Sequence, residues 1–297
     1  YEIGSGLVGS EMCIRDSVYP VFSGIELVYY DVHMQSCDIN LAKGREMLII
    51  THCQEGRIEF EYKNGEYLYL ASGDLSIQKN TENIRHRYCP LSHYHGVSVA
   101  IDMNRVPRCF SCILDDVFVS PEELEMKFCS EKPYSIMREN ISIEHIFSEL
   151  YSVPENIRKG YHKVKVLELL LFLSGLEYKG ESEERRYFSR SQVTAAKEAK
   201  KYLLAHLDEH ITITELADML GISSTSLKIC FKGVYGDTIN GYITNCKMQK
   251  AASLLKNTDK SVLEIAGIVG YNNGSKFAGA FRRVMNKSPN EYRKSLV

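Results

Sequence analysis

The sequence predicts two domains: a mainly β N-terminal domain that forms a small barrel followed by helices, and an all-α C-terminal domain of two tandem helix-turn-helix units. A length of 297 residues is enough for about two domains of roughly 150 residues each. Residues 191–297 hold 15 Lys/Arg and 9 Asp/Glu, a net of +6, whereas residues 1–190 hold 21 and 29, a net of −8. The last third of the chain also repeats itself. An acidic front and a basic back indicate two modules, of which the basic one suits a polyanion.

Composition excludes several broad classes of protein. Hydrophobic residues make up 44% and charged residues 25%, which argues against a wholly disordered chain. The longest apolar stretch, residues 164–176, is interrupted by Lys165 and Glu168 and is shorter than the ~20 residues of a membrane-spanning helix. Nine scattered cysteines are an odd number and favour reduced thiols in the cytoplasm over a disulfide framework.

Residues 1–17 stand apart from the predicted domains. They begin without Met, show no hydrophobic period, and contain three acidic residues that argue against a secretory signal peptide. The stretch resembles translated adapter sequence. We therefore expect a non-native leader here, with the natural N-terminus missing upstream of Val18.

Short strand-like runs fill much of residues 18–106. They are apolar or alternating, and turn residues separate them: Glu46–Thr51, Arg57–Tyr62, Tyr67–Leu70, Leu75–Ile77 and Tyr94–Ile101. The Asn64-Gly65 pair between the second and third runs is typical of a hairpin. Turns at intervals of about 8–12 residues predict a sandwich or a small barrel.

Helical patterns follow Pro107. Ser120 before Pro121 and two glutamates is typical of a helix start, and further helices are expected at Ser142–Tyr151 and Tyr161–Tyr178. The last of these is apolar on several sides, which fits either a core helix or a helix that pairs two copies of the chain. These elements complete a domain over residues 18–180, and the charged residues 181–190 are the predicted linker.

His93 and His95 are weak candidate metal ligands, because alternate residues of a strand share a face. Metal-binding cupin barrels begin their motif with such a pair, although they continue with a carboxylate where this chain has Val97–Val99. Cys109 and Cys112 have zinc-like spacing but lack a second ligand pair. We expect a cupin-like barrel with no metal and no cofactor, its histidines and cysteines being structural. No phosphate loop, nucleophile elbow or zinc-protease motif occurs, so no enzymatic activity is predicted.

The repeat lies in residues 214–232 and 263–282. At an offset of 49 the matched pairs are Leu216/Ile265, Ala217/Ala266, Leu220/Val269 and Gly221/Gly270, and at 50 they are Leu227/Phe277, Phe231/Phe281 and Lys232/Arg282. A one-residue change in the turn preserves both flanking helices. We interpret this as a duplicated helix-turn-helix, with units at about 213–234 and 262–285.

Each unit has the residues that such a motif needs. Gly221 and Gly270 stand where the first helix ends and a left-handed residue is needed. Ser223 and Asn273 are candidate N-caps of the second helix. An apolar stripe at i, i+4 and i+7 of that helix would pack inward and leave its polar side chains exposed.

The exposed side chains of each second helix suit the major groove of DNA. Short polar and cationic side chains in the first turns reach base edges, and other cations hold phosphates. The candidate base-reading residues are Thr225, Ser226, Lys228, Ile229, Asn273 and Lys276, and the candidate phosphate-binding residues are Lys232, Lys247, Arg282 and Arg283. One such pattern fits any packed helix pair. Two in tandem within a basic module favour DNA binding, with the helices entering successive grooves about 34 Å apart.

Residues ~195–295 resemble the DNA-binding domain of the AraC/XylS transcriptional regulators. The resemblance rests on Lys247–Ala251, Ala252–Leu255, Val262–Ala266, Val269–Tyr271, Ser275–Phe277, Ala280–Arg283 and Ser288–Arg293. Leu227-Lys228 with Phe231–Gly236 and Ser275–Phe277 resembles the branch of siderophore-responsive, PchR-like regulators. Two positions depart from the family pattern: Gly279 replaces a frequent Arg, and Asn286 replaces a Gly at a helix end, where Asn adopts the left-handed conformation readily.

The resemblance implies a seven-helix domain over residues 191–297 that binds double-stranded promoter DNA and acts on RNA polymerase. It also implies that the N-terminal domain senses a small effector, dimerises, or does both. We expect a bacterial cytoplasmic activator, with the effector inside the barrel and a possible homodimer through the 161–178 helix. The alternative is a metal-binding or catalytic cupin-type domain with an appended DNA-binding module.

Overall fold

A computed structural model of the chain describes residues 14–34, 45–79, 84–106, 119–138, 140–178 and 188–295. The chain forms two compact units, residues 1–187 and residues 188–297. The boundary falls inside the segment predicted as the linker. None of the helices in the described ranges is both long enough and apolar enough to cross a membrane.

The described part of the first unit contains antiparallel strands and three helices. The strands are β1 Ile14–Phe22, β2 Ile25–Val32, β3 Met47–Tyr62, β4 Tyr67–Ala71, β5 Leu75–Lys79, β6 Ile84–Tyr88, β7 Tyr94–Asp102 and β8 Tyr134–Met137. Their order is β1-β2-β7-β3-β5-β8, and β4 and β6 pair with the second half of β3. β1 begins at Ile14, so the last residues of the expected leader pair with β2.

The expectation of a closed, cupin-like barrel is wrong, because the sheet formed by the described strands is open. β1 and β8 lie at its two ends, and each pairs with one neighbour. The physical reason lies in β3, which is one strand of 16 residues where the sequence suggested two. Its register against β7 shifts between Cys53 and Glu55, and Gly56 has a positive φ of 85°. The two halves of β3 therefore belong to two different sets of strands.

The helices cover one face of the sheet. They are α1 Pro121–Cys129, α2 Ile141–Leu150 and α3 Arg158–Gly175, close to the predicted positions. As expected, Ser120 caps α1, its hydroxyl accepting from the Glu123 amide at 3.3 Å. Val166, Leu169, Leu170 and Leu173 of α3 are buried with apolar strand residues, so α3 is a core helix on that side. On its other side Val164 is 61% exposed.

The second unit is helical, as predicted. Its helices within residues 188–295 are α4 Arg190–Ala205, α5 Ile213–Met219, α6 Ser224–Tyr235, α7 Ile239–Asn257, α8 Val262–Ile268, α9 Gly274–Met285 and α10 Pro289–Lys294. α5–α6 and α8–α9 are the two repeated helix pairs. The central helix α7 packs against α4, α6, α8, α9 and α10, so both pairs share one support.

Candidate nucleic-acid interface

The turn of each helix pair is built from the same backbone hydrogen bonds. Gly221 and Gly270 adopt positive φ values of 66° and 75°. The Ile222 amide donates to the Ala217 carbonyl at 3.1 Å, and the Tyr271 amide donates to the Ala266 carbonyl at 2.8 Å. This is the Schellman arrangement, in which a left-handed residue lets the chain reverse and satisfies the last carbonyls of a helix.

The residues that follow each turn fix where the second helix begins. The Ser223 hydroxyl accepts from the Ser226 amide at 3.1 Å, and the Asn273 Oδ1 accepts from the Lys276 amide at 2.9 Å. Both side chains are the N-caps of their helices. The capped first turns of α6 and α9 are the parts that a major groove would receive.

An apolar stripe orients each second helix. Leu227, Phe231 and Val234 of α6 have no solvent exposure, and Phe277 and Phe281 of α9 are equally buried. Because these residues occupy one face of each helix, the opposite face points outward. The stripe therefore determines which side chains a ligand can meet.

The predicted base-reading residues occupy the first turns of α6 and α9 and the cap of α9. Thr225, Lys228, Asn273 and Lys276 are exposed, while Ser226 and Ile229 are half-buried. The Ser226 hydroxyl accepts from Gln192 Nε2 at 3.2 Å, which ties it to α4. Thr225 and Lys228 lie three residues apart and so are neighbours on the outer surface of α6.

The predicted phosphate-binding residues divide into two groups. Lys232, Arg282 and Arg283 are exposed, and within the described residues none has a carboxylate within ion-pair distance. Lys247 is half-buried, and its Nζ lies 5.7 Å from the centroid of the Tyr271 ring. Burial lowers the pKa of Lys247, with Asp208 acting in the opposite direction. The structure thus brings the three exposed cations to the ends of α6 and α9 and holds Lys247 against the turn.

Sequence reasoning missed Gln192, which supports α6. Its side-chain oxygen accepts from the Ser189 amide at 3.0 Å, and its backbone amide donates to the Ser189 hydroxyl, so the two residues form a capping box at the start of α4. Its Nε2 donates to the Ser226 hydroxyl. The Ser189-x-x-Gln192 spacing is a capping-box signal that the sequence offered. The contact to Ser226 depends on how α4 packs on α6, which no local pattern reports.

The two departures from the family pattern are both accommodated. Gly279 is exposed, and a Cβ added there would meet no atom within 4 Å among the described residues. Asn286 ends α9 in the left-handed region with φ 57°. A longer side chain at position 279 would therefore extend freely from the surface of α9.

The two histidines noted in the sequence do not form one cluster. His93 precedes β7, and its Nε2 lies 3.8 Å from Glu55 Oε1. His95 lies within β7, and its Nε2 is 3.5 Å from Asp31 Oδ1. Cys109 and Cys112 lie outside the described residues.

Comparisons with known proteins agree with the arrangement of the second unit. Residues 216–295 match the family model described as a helix-turn-helix domain. The chain is 31% identical over 153 residues to the xylose operon regulatory protein of Escherichia coli K12, covering 48% of this chain and 39% of that protein. It is 30% identical over 93 residues to the melibiose operon regulatory protein of the same strain, covering 31% of each.

Among solved structures, one match covers about a third of the chain. The C-terminal domain of AraT, a response regulator from Geobacillus stearothermophilus, is 32% identical and covers 34% of this chain and 84% of that domain, with a TM-score of 0.33. The matched segments span less than half the length of the two operon regulators. Residues 216–295 of the second unit therefore match a helix-turn-helix domain, and the chain is similar in part to regulatory proteins of the xylose and melibiose operons.

Proposed function

We propose that this protein is a sequence-specific transcription regulator of the bacterial cytoplasm, and more specifically an activator, that binds promoter DNA through α6 and α9. One observation carries the proposal. The same turn, cap and buried stripe occur twice in one unit, and each time the outer face of the second helix presents short polar and cationic side chains. A shared support, α7, gives the two helices a fixed spacing, which two successive major grooves require.

In this proposal the exposed side chains have two roles. Thr225, Ser226, Lys228 and Ile229 of α6, with Asn273 and Lys276 at the start of α9, contact base edges. Lys232, Arg282, Arg283 and the less accessible Lys247 contact phosphates, which position the protein without selecting a sequence. The Asn273 oxygen is engaged as a helix cap, so its amide nitrogen is the atom available to an acceptor on a base.

Selection of bound sequences from a random pool of DNA duplexes tests the proposal directly. We expect the chain to enrich a site with two subsites about 10 bp apart, because each recognition helix reads one major groove. Enrichment of a single short subsite would contradict base reading by α9. The absence of any enrichment, with and without effector, would contradict sequence-specific binding.

Three alanine variants separate the two roles. Lys228→Ala should relax specificity at one base position, whereas Arg282→Ala should weaken binding to all sequences and reduce the salt slope by about one. Lys256→Ala is the matched control, because this exposed lysine lies in the last turn of α7 and belongs to neither α6 nor α9. Equal effects of Lys228→Ala and Arg282→Ala would contradict the division.

Regulation by a small effector is the second part of the proposal. The first unit has a cavity of about 180 Å³ beside α2, lined by His52, Gln54, Ser72, Gly73, Glu144, Ser148 and Tyr151. His52 is 4% exposed, and its ring stacks on Phe147 with centroids 4.5 Å apart. Burial lowers the pKa of His52 to about 4, and its Nε2 has no hydrogen-bond partner in the described part of the chain. A neutral imidazole with one unpaired nitrogen is suited to a polar ligand.

The effector experiment measures DNA affinity with added ligands. The ligands to add are D-xylose and melibiose, which the names of the relatives suggest. A ferric siderophore is the third, because residues of α6 and α9 resemble those of PchR-like regulators. A ligand that binds one conformer better shifts the population toward it, so the true effector should change the affinity for DNA. His52→Phe keeps the stacking on Phe147 while removing Nε2, and it should abolish the response. An unchanged response in this variant would contradict the cavity as the effector site.

Dimerisation and contact with RNA polymerase complete the proposal. A homodimer through the helix predicted at 161–178 would use the outer side of α3, where Val164 is exposed. Sedimentation of the chain and of Val164→Glu tests this, and a concentration-independent monomer would contradict it. Transcription in vitro from the selected site, with purified polymerase, should increase when the protein is added, and a decrease would indicate a repressor.

A further inference from the structure

Three potential metal ligands meet where β2 ends. Asp31 lies near the end of β2 and His33 follows it by two residues, so both side chains leave the same face. In the antiparallel pairing of β2 with β7, Asp31 stands directly opposite His95. Side chains at opposed positions of adjacent strands have Cβ atoms about 4.5–5.5 Å apart. The register of two strands therefore brings together Asp31 and His95, which are 64 positions apart in sequence.

The distances between the ligand atoms fit one metal ion. Asp31 Oδ1 lies 2.8 Å from His33 Nε2 and 3.5 Å from His95 Nε2. One ligand atom from each residue can be chosen so that all three lie within 4.8 Å of one another. Two ligands of a tetrahedral zinc ion, each at about 2.1 Å, are about 3.4 Å apart. Small side-chain rotations are enough to reach this spacing.

The carboxylate oxygen at the centre of the cluster has unmet bonding capacity. Asp31 Oδ1 is buried and has no hydrogen-bond partner among the described residues, although its side chain as a whole is 37% exposed. Its contacts with the imidazoles of His33 and His95 are ion pairs. A buried carboxylate oxygen without a hydrogen bond is costly, and a bound cation would remove that cost. The exposed fractions of His33 and His95, 53% and 31%, leave the cluster open to ions from solution.

We propose that Asp31, His33 and His95 bind one divalent transition-metal ion, with zinc as the preferred occupant. Two imidazole nitrogens and one carboxylate oxygen are a donor set that suits zinc, and three protein ligands leave a coordination position for water or a small ligand. The site differs from the His93–His95 pair that the sequence suggested. His33 takes the place of His93, which lies before β7 and faces Glu55.

The test uses the full chain after treatment with EDTA and dialysis. Equilibrium dialysis against zinc should give one bound ion per chain. Loss of a group that only hydrogen-bonds to a metal ligand costs roughly 10- to 100-fold in affinity. Loss of a ligand itself should cost more, so Asp31→Asn, His33→Ala and His95→Ala should each weaken binding by about 100-fold or more. His93→Ala and His86→Ala are the matched controls and should bind zinc like the unchanged chain, since His93 faces Glu55 and His86 is exposed on β6, which pairs with β3.

Two results with the variants would overturn the proposal. One is zinc binding that is equal in the unchanged chain and in the Asp31→Asn variant, and the other is a loss in His93→Ala as large as that in His33→Ala. Thermal unfolding of each variant shows whether it is folded. A measurement on the unchanged chain needs no variant: Co²⁺ should give weak visible bands typical of nitrogen and oxygen ligands. Strong near-ultraviolet charge-transfer bands would instead assign the ion to cysteine thiolates and overturn the site. The zinc dialysis and the Co²⁺ spectrum are both independent of DNA binding.

Discussion

The two helix-turn-helix units have the same backbone conformation at the turn and differ in the residues that surround it. Both turns use a glycine of positive φ, and both second helices begin at a side-chain cap. A Cβ at Gly221 would meet open space, whereas a Cβ at Gly270 would lie 2.6 Å from the Asp208 carbonyl oxygen. In the second helices the situation is reversed, because Gly233 is covered by the Phe188 ring and Gly279 is open. Replacing glycine by alanine should therefore have unequal effects in the two units, both at the equivalent turn positions 221 and 270 and at the non-equivalent helix positions 233 and 279.

The largest effect should come from the buried phenylalanines, where the units are alike. Phe231→Ala and Phe281→Ala each remove a fully buried ring, and we expect each to lower the free energy of unfolding by about 3–5 kcal/mol. Since α7 packs against both α6 and α9, each variant should show one unfolding transition for the whole unit. Urea unfolding followed by far-UV circular dichroism measures this. An additional transition of residues 188–297 in only one variant would show that the two helix pairs unfold separately.

The turn glycines should distinguish the units. A left-handed residue with a side chain costs roughly 1–2 kcal/mol, so Gly221→Ala should lower the free energy of unfolding by about that amount. Gly270→Ala should cost more, because its Cβ would also collide with the Asp208 backbone. Gly221→Asn is the control and should be milder than Gly221→Ala, since Asn tolerates this conformation. If urea unfolding gave the same loss of free energy of unfolding for Gly221→Ala and Gly270→Ala, the backbone at Asp208 would have to move aside without an energetic cost.

The helix glycines should differ even in the sign of the effect. Gly279→Ala should raise the free energy of unfolding by about 0.5–1 kcal/mol, because alanine favours the helix and its Cβ meets no neighbour. Gly233→Ala should lower it, because the new Cβ would lie 2.2 Å from ring atoms of Phe188. Gly279→Arg adds a cation to the outer surface of α9 and should tighten DNA binding with a salt slope steeper by about one. An unchanged salt slope would place position 279 away from the DNA.

The smallest effect should be a pH dependence that the two units share. Glu264 accepts hydrogen bonds from the side chain and backbone of its N-cap Ser261, and Glu215 accepts from the backbone and side chain of its N-cap Thr212. These hydrogen bonds lower the pKa of both carboxyls below their ordinary value of 4.5. Their contribution is present above pH 4.5 and is lost as the pH falls through the lower folded-state value. Glu215→Gln and Glu264→Gln should each lose less stability than the unchanged chain between pH 7 and pH 3. Equal acid sensitivity of all three proteins in urea unfolding would contradict this role.

Local signals allowed the helical unit to be predicted, while the sheet depended on distant partners. Gly221 and Gly270, with the caps Ser223 and Asn273, specify their turns within a few residues, so the sequence revealed them. The open sheet was not predicted because residues 53–56 interrupt the apolar pattern of β3, which suggested two strands instead of one bent strand. In the same way, the pairing of Asp31 with His95 depends on the register of β2 against β7. No pattern in either strand reports that register.

The position of β7 in the sheet has a consequence for the growing chain. Val99 of β7 pairs with Leu27 of β2 on one side and with Ile50 of β3 on the other, and all three side chains are fully buried. Both earlier strands therefore leave the ribosome before their common neighbour exists. At ~5–20 residues per second, the roughly 60 residues between β2 and β7 take about 3–12 s to synthesise. During that interval the apolar edge of β2, and later that of β3, has no partner and is open to other chains, so the speed of translation sets how long each edge stays exposed.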